Sequence, residues 1–311
     1  MKYAIGIDLG GRSAKFGLFT ADGELIEKSN IVTRVEDEGK YILTDIYDHI
    51  LKMMLKYKLD SSNFLGIGMG VPGAVQDKGL VKVAVNLGWK NVDVKDFFKD
   101  KVNYPYLVEN DANVAALGET WQGAGKGYKN VVMVTLGTGV GGGIIIDGNI
   151  VSGATGSAGE IGHMPILENA ISRTCGCGGN RCLELVASAS GIEALANEYL
   201  FDSSEQSILR EVDELTAKDV FDAYKDGDQV AIHIAKKFFD YLGRGLAVIA
   251  TVVDPQVFVI GGGVSNAGDI LIQGVQEAYK KYAFSTVRNA EFRLAKLGND
   301  AGIYGAAKLV L

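Results

Sequence analysis

Tyr3-Ala4-Ile5-Gly6-Ile7-Asp8-Leu9-Gly10-Gly11 opens the chain's first recognisable element, and a second stretch, Val131-Val132-Met133-Val134-Thr135-Leu136-Gly137-Thr138-Gly139-Val140-Gly141-Gly142-Gly143, repeats its logic. In each, an apolar β-type run meets a glycine-containing turn and a further strand follows: Ala14–Thr20 after the first, Ile144–Ile146 after the second. An Asp-Gly pair then ends each unit, Asp22-Gly23 and Asp147-Gly148, as hairpin turns require. The pseudo-repeat over 3–23 and 131–148 predicts two related halves. A third apolar run, Val257–Ile260, enters Gly261-Gly262-Gly263 and then a helical segment near 268–282.

Between these runs the period changes to that of helices. Ile42, Ile46, Ile50, Met53, Met54 and Tyr57 share a helical face, and Phe238, Phe239, Leu242, Leu246 and Ile249 share another within 228–250. Residues 112–121 and 183–198 also read as helices, with Gly123–Gly127 closing the first, and Phe64–Val71 as a buried strand ahead of Pro72-Gly73. This alternation predicts an α/β architecture. No Pro- or Ser-rich linker divides the halves, so they are expected to pack around a cleft.

Composition narrows the function. The 311 residues are 47% hydrophobic and 22% charged, with 41 glycines, only four prolines and a net charge of −7. Without a basic stripe, general nucleic-acid binding is disfavoured. No signal peptide opens the chain and no apolar stretch reaches membrane-spanning length, which predicts a cytoplasmic protein. Glycines clustered at strand ends let backbone N–H groups converge on phosphate oxygens. The loops lack the Gly-Lys-Ser/Thr of a P-loop, and Gly137–Gly143 leads into a strand rather than a helix, so a dinucleotide fingerprint is also excluded. Two phosphate hairpins, one per half, fit better. Asp8, at a strand end beside Gly10-Gly11, suits Mg²⁺ held near phosphates or the capping of a turn.

All three cysteines fall in Cys175-Gly176-Cys177-Gly178-Gly179-Asn180-Arg181-Cys182. Three buried thiols packed as small hydrophobes is one reading; with His163 upstream, a Cys₃His structural zinc site is the better one. Asp111, in Glu109-Asn110-Asp111-Ala112-Asn113, precedes a helical run and so reads as an N-cap, or as a carboxylate presented beside an amide that binds hydroxyls. Glu160 and Glu184 lie near the proposed zinc ligands. Together with Asn86 and Asn110 they form a polar set suited to a sugar.

These motifs resemble the ROK family of repressors, open reading frames and kinases, on its ATP-dependent, glucose-phosphorylating branch. The likeness runs from Ile5–Gly11 through Val85-Asn86-Leu87-Gly88-Trp89-Lys90-Asn91, Glu109–Asn113, Val134–Gly143, Glu160–His163, the cysteine cluster with Glu184, and Ile260–Val264 to Leu297–Gly302. It implies a two-domain fold like those of hexokinase and actin (ribonuclease H-like), with a small α/β domain over 1–110, a large one over 111–299 carrying zinc, and a C-terminal helix 300–311 packing back on the first. It further implies phosphorylation of a hexose, glucose foremost, at the 6-hydroxyl, with Asp111 as general base. Asn86, Asn110, Asp111, Glu160, His163 and Glu184 match sugar-binding positions. ATP is expected at Asp8, Gly10, Gly11, Ser13, Lys15, Thr138 and Gly139, with adenosine near Gly261, Gly262 and Gly263. Mg²⁺ and structural Zn²⁺, the latter on His163, Cys175, Cys177 and Cys182, complete the cofactors. Relatives make a homodimer or homotetramer the expected assembly.

Two residues depart from the family pattern: Arg12-Ser13 stands where Thr usually follows Gly-Gly, and Arg181 where Gly usually precedes the last cysteine. Fructose, mannose, N-acetylglucosamine or N-acetylmannosamine are alternative acceptors. A catalytically inactive sugar-binding protein and a sugar-responsive regulator are the rival classes; the latter carries a DNA-binding extension ahead of the core, for which a hairpin starting at residue 3 leaves no room.

Overall fold

The protein is described from a computed structural model covering residues 1–76 and 79–311. Its chain forms two compact units. The first comprises Met1–Lys129, Gly143–Gly159 and Lys296–Leu311, the second Asn130–Gly142 and Glu160–Ala295.

The first unit is built from β1 (Tyr3–Leu9), β2 (Ser13–Thr20), β3 (Leu25–Val32), α1 (Glu36–Gly39), α2 (Ile42–Tyr57), β4 (Phe64–Val71), β5 (Val75–Gln76), β6 (Leu80–Ala84), β7 (Trp89–Asp93), α3 (Val94–Phe98), β8 (Tyr106–Asn110) and α4 (Asp111–Gln122). Then come β9 (Val131–Leu136), β10 (Val140–Ile146), β11 (Asn149–Ile150), α5 (Glu184–Ala187), α6 (Ala189–Asp202), α7 (Ala217–Lys225), α8 (Gln229–Val253), β12 (Val257–Gly261), α9 (Asp269–Tyr282), β13 (Glu291–Leu294) and α10 (Ala301–Lys308). The repeat in the sequence is a repeat of topology. One five-stranded sheet runs β3-β2-β1-β4-β8 and the other β11-β10-β9-β12-β13, so each places its first strand centrally. In both, the two strands that follow a helical crossover join in parallel, β4 and β8 in one, β12 and β13 in the other.

The first sheet is buried on both faces. Ile5, Ile7 and Phe16 are fully enclosed, as are Ile67 and Met69, and α2 adds Ile46 and Ile50 from the helical face its spacing foretold. Each such side chain contributes about 1.5–3 kcal/mol on burial. On the same unit α10 lies so close that glycines are needed beneath it. A Cβ at Gly6 would stand 2.0 Å from the Ile303 carbonyl oxygen, and one at Gly68 1.7 Å from that of Ala306. Gly118 of α4 and Gly305 of α10 allow the two helices the same close approach.

Helix α4 ends on an unusual anchor. Glu119 is completely buried, and among the described residues no cation pairs with it. Its carboxylate instead accepts from backbone N–H groups of Ala124 (2.7 Å), Lys296 (2.9 Å) and Leu297 (2.7 Å). Gly123 must be glycine for this, since a Cβ there would sit 2.0 Å from Glu119 Oε2. The charge thus fixes two segments of this unit next to where the chain leaves it, after Lys129, and where it returns, at Lys296. In Glu119→Gln one amide N–H must oppose a backbone donor, which is expected to cost about 2 kcal/mol. A urea-unfolding midpoint equal to that of the parent protein would refute the anchor.

Two features go beyond the expectations. Residues 183–198 are mainly helical as expected, but in two pieces, because the Ser188 hydroxyl caps a new helix by accepting from Gly191 N–H (2.9 Å), which separates α5 from α6. Strands β5, β6 and β7 form an additional three-stranded sheet that the sequence pattern does not announce.

Candidate active site

In the first unit the residues expected at phosphate gather around the β1–β2 hairpin. Asp8 pairs across the ladder with Lys15, whose Nζ lies 3.4 Å from Asp8 Oδ2 and 3.0 Å from the carbonyl oxygen of Asn299. Burial raises the Asp8 carboxyl above its ordinary value, with Lys15 opposing the shift. The turn itself is rigidly braced. Gly10 N–H donates to Ser13 O (3.0 Å), the Thr33 hydroxyl donates to Gly10 O (2.7 Å), and Thr33 N–H donates to Arg12 O (3.1 Å). Gly10 N–H is therefore engaged, whereas among the described residues those of Gly11 and Arg12 bond to nothing within the chain. Thr33, a bracing residue that the sequence reading did not single out, is 7% exposed. It lies 23 residues from Gly10, and no local spacing signals the contact.

Asn86 occupies a short 3₁₀ turn, Val85–Leu87, and is exposed. That turn is held by its neighbours: Trp89 Nε1 donates to Gly39 O (3.3 Å), and a Cβ on Gly11 would approach the Asn86 carbonyl oxygen to 2.9 Å. The phosphate-type turn and the Asn86 turn therefore share one contact at Gly11.

Strand β8 delivers Asn110 and α4 begins at Asp111. The cap is Asn110 rather than Asp111. Asn110 Oδ1 accepts from the N–H groups of Ala112 (2.9 Å) and Asn113 (3.1 Å), and its Nδ2 donates to Gly73 O (3.1 Å). Asp111 is the first helical residue, half-buried, with Oδ1 accepting from Ala112 N–H at 2.8 Å. A carboxylate there gains from the positive end of the helix.

In the second unit, Gly137 N–H closes its loop onto Gly139 O (3.0 Å), and those of Thr138 and Gly139 bond to nothing within the described residues. Ala189 N–H holds the loop at Gly137 O (2.8 Å), which joins it to the start of α6. The Glu184 carboxylate lies against Gly139, where a Cβ would be 2.8 Å from Oε2. Thr138, Gly139, Arg173, Cys175, Glu184 and Ser188 are among the residues lining a pocket of about 490 Å³. A second pocket, about 350 Å³, is lined by Gly263, Val264, Asn266, Glu193, Lys218 and Phe221 among others. Gly262 enters its turn at φ +85°, against the backbone of Leu136.

The cysteine cluster folds into a knuckle. Cys175 N–H donates to Gly179 O (2.7 Å) and Gly178 N–H to Cys175 O (2.8 Å), which turns the three sulfurs inward. Cys175 Sγ is 3.2 Å from Cys177 Sγ and 3.3 Å from His163 Nδ1, and Cys177 Sγ is 3.5 Å from Cys182 Sγ. All four candidate ligand atoms lie within 4.8 Å of one another. Four donors about 2.3 Å from a common centre would be spaced this way, so the set fits a tetrahedral metal. Arg181 does not intrude, because its Nε donates outward to Leu167 O (2.7 Å). His163 and Glu160 sit on the adjoining 3₁₀ turn, with His163 Nε2 3.7 Å from Glu160 Oε2.

Two sheets of like order, each with glycine turns at strand ends, define a mixed α/β protein of the hexokinase-like class. The sequence model of the ROK family matches residues 4–311, and the chain belongs to that family. It is 42% identical to the glucokinase of Halalkalibacterium halodurans over 99% of this chain and 95% of that one. A xylose repressor of Caldicellulosiruptor bescii is 30% identical over 99% of this chain and 77% of its own length. Among solved structures, the chain is similar to a ROK family glucokinase from Streptomyces griseus in complex with glucose and AMPPNP. That likeness has 32% identity, a TM-score of 0.73, and 99% coverage of each chain.

Proposed function

We propose that this protein is an ATP-dependent glucokinase that converts glucose to glucose 6-phosphate with Asp111 as general base. The observation that carries this is the full-length likeness to a glucokinase at 42% identity, in a chain that places Asn110-Asp111 at the head of α4. The 6-hydroxyl oxygen of glucose attacks the γ-phosphorus of ATP. The new O–P bond forms as the bond from γ-phosphorus to the β,γ-bridging oxygen breaks, the hydroxyl proton passes to the Asp111 carboxylate, and ADP leaves. Phosphoryl transfer of this kind depends on positioning and on charge neutralisation. The free N–H groups of Gly11 and Arg12, with those of Thr138 and Gly139, suit the phosphate oxygens. Asp8 is the residue to hold Mg²⁺, which when bound offsets phosphate charge.

Asn86, Asn110, Glu160, His163 and Glu184 are assigned to the sugar hydroxyls, Ser13 and Lys15 to the nucleotide phosphates, and the Gly261–Gly263 turn with its pocket to adenosine. His163, Cys175, Cys177 and Cys182 are assigned to a structural zinc ion that orders the segment bearing Glu160. Cytoplasmic location follows from ATP as donor, and a homodimer or homotetramer from the family resemblance. Among the described residues no helix is long and apolar enough to cross a membrane.

The test is an ATP-coupled assay across hexoses and N-acetylhexosamines. Glucose is expected to give the highest kcat/KM. A higher value with another sugar reassigns the acceptor, and sequence-specific DNA binding without any phosphorylation moves the protein to the regulator class.

A further inference from the structure

Glu109, next to the base, is the motif residue to which the proposed mechanism gives no part. Its carboxylate accepts three hydrogen bonds inside the first unit. Oε1 accepts from Asn110 N–H at 2.8 Å and from Asn113 Nδ2 at 3.1 Å, while Oε2 accepts from the Ser152 hydroxyl at 2.7 Å. One oxygen therefore serves the turn that carries Asn110 and Asp111, and the other serves a loop 43 residues away. Asn113 is 1% exposed, so that side of the bond is shielded from water.

The loop held by Ser152 is itself well defined. Ala158 N–H donates to Ser152 O (3.1 Å) and closes it, Gln76 Nε2 donates to Thr155 O (3.2 Å), and Gly156 rests against the Val75 backbone. From Ala158 the chain needs only Gly159 to reach Glu160. The loop that Ser152 closes thus adjoins in sequence a residue assigned to the sugar, and Glu109 adjoins the base.

We propose that Glu109 is a positioning residue that locks the base-bearing turn and the loop Ser152–Ala158 into one arrangement, with Ser152 as its partner. The proposal rests on the glucokinase reading for its kinetic readout, but the bond itself is tested without any sugar. Misplacement of reacting groups by about 1 Å costs roughly 10²-fold in rate.

Three variants test it. Glu109→Ala is expected to lower kcat/KM for the acceptor sugar about 10²-fold. Glu109→Gln keeps an oxygen for Asn110 N–H and Asn113 Nδ2 and turns an N–H toward the Ser152 hydroxyl, which also accepts; it is expected to recover kcat to within about threefold of the parent protein. Ser152→Ala is expected to raise KM for the sugar about five- to tenfold with KM for ATP unchanged, and to speed backbone hydrogen exchange at Ala158 in the sugar-free protein. Glu109→Gln no better than Glu109→Ala would mean that charge, not bond geometry, matters, and would overturn the proposal. So would parental kinetics in Glu109→Ala, or unchanged exchange and KM in Ser152→Ala. The acceptor is whichever sugar the parent protein prefers in the hexose panel, so a wrong sugar leaves the proposal standing. Exchange at Ala158 decides it even if no sugar is phosphorylated.

Discussion

Asp111→Asn is expected to lower kcat for glucose phosphorylation by about 10²–10⁴-fold, the range typical of a lost general base. The glucose dissociation constant is expected to stay within about threefold, because an amide and a carboxylate of equal size make similar hydrogen bonds to hydroxyls. Two contacts that shape the head of α4 survive this substitution. Helix α4 is capped by Asn110, not by Asp111, so the cap survives. The bond from Ala112 N–H to Asp111 Oδ1 at 2.8 Å survives too, since an asparagine oxygen accepts it equally well. What the amide cannot do is take the proton of the 6-hydroxyl as the O–P bond forms. Isothermal titration with glucose and single-turnover phosphorylation with ATP separate the two effects. Full turnover by the variant would remove Asp111 from the mechanism, and loss of glucose binding with it would make Asp111 a sugar ligand first.

The sequence announces what is encoded locally. The strands at 3–9, 131–136 and 257–261 are largely apolar runs that end at glycine turns, and turn chemistry at Asp22-Gly23 and Asp147-Gly148 marks the β2–β3 and β10–β11 hairpins. The cysteine knuckle is legible for the same reason, as its candidate ligands lie within a few residues of one another apart from His163. Long-range polar contacts leave no such trace. Glu119 sits on a helix like any surface acid, and only the folded chain brings the N–H groups of Lys296 and Leu297 to it. Thr33 and Ser152 are likewise ordinary hydroxyl residues until the fold sets them against Gly10 and Glu109. The small β5-β6-β7 sheet is missed because its strands are two to five residues long and mix buried Val81 and Trp89 with exposed lysines. Asn110 and Asp111 both suit an N-cap, and the choice between them depends on where β8 ends, which is set by its pairing with β4.

Cys177→Ser is the second large effect expected, with loss of about one bound zinc ion per chain, the stoichiometry of one four-ligand site. Cys177 is the informative cysteine because it is exposed, whereas Cys175 and Cys182 are buried. Replacing either buried thiol would confound metal loss with damaged packing, while serine at 177 removes little but the sulfur. Its hydroxyl is a poor ligand beside a thiolate, so three donors remain and the knuckle loses its closing strut. The consequence passes through His163, whose Nδ1 faces Cys175 Sγ at 3.3 Å and whose Nε2 faces Glu160 Oε2 at 3.7 Å. A metal held by His163 would fix the ring plane and so present Nε2 and Glu160 together. Without it the ring is left to its contacts with Cys175, Glu160 and Glu184, and KM for glucose is expected to rise at least about tenfold. KM for ATP is expected to move less, because the Gly137–Gly139 loop is held by its own bonds and by Ala189. Elemental analysis of the purified protein reads the metal directly, and a chelator applied to the parent protein should reproduce the variant's kinetics. Parent protein that contains no zinc, or a variant that keeps both zinc and KM, would show that the cluster packs as thiols and that His163 is positioned by the chain alone.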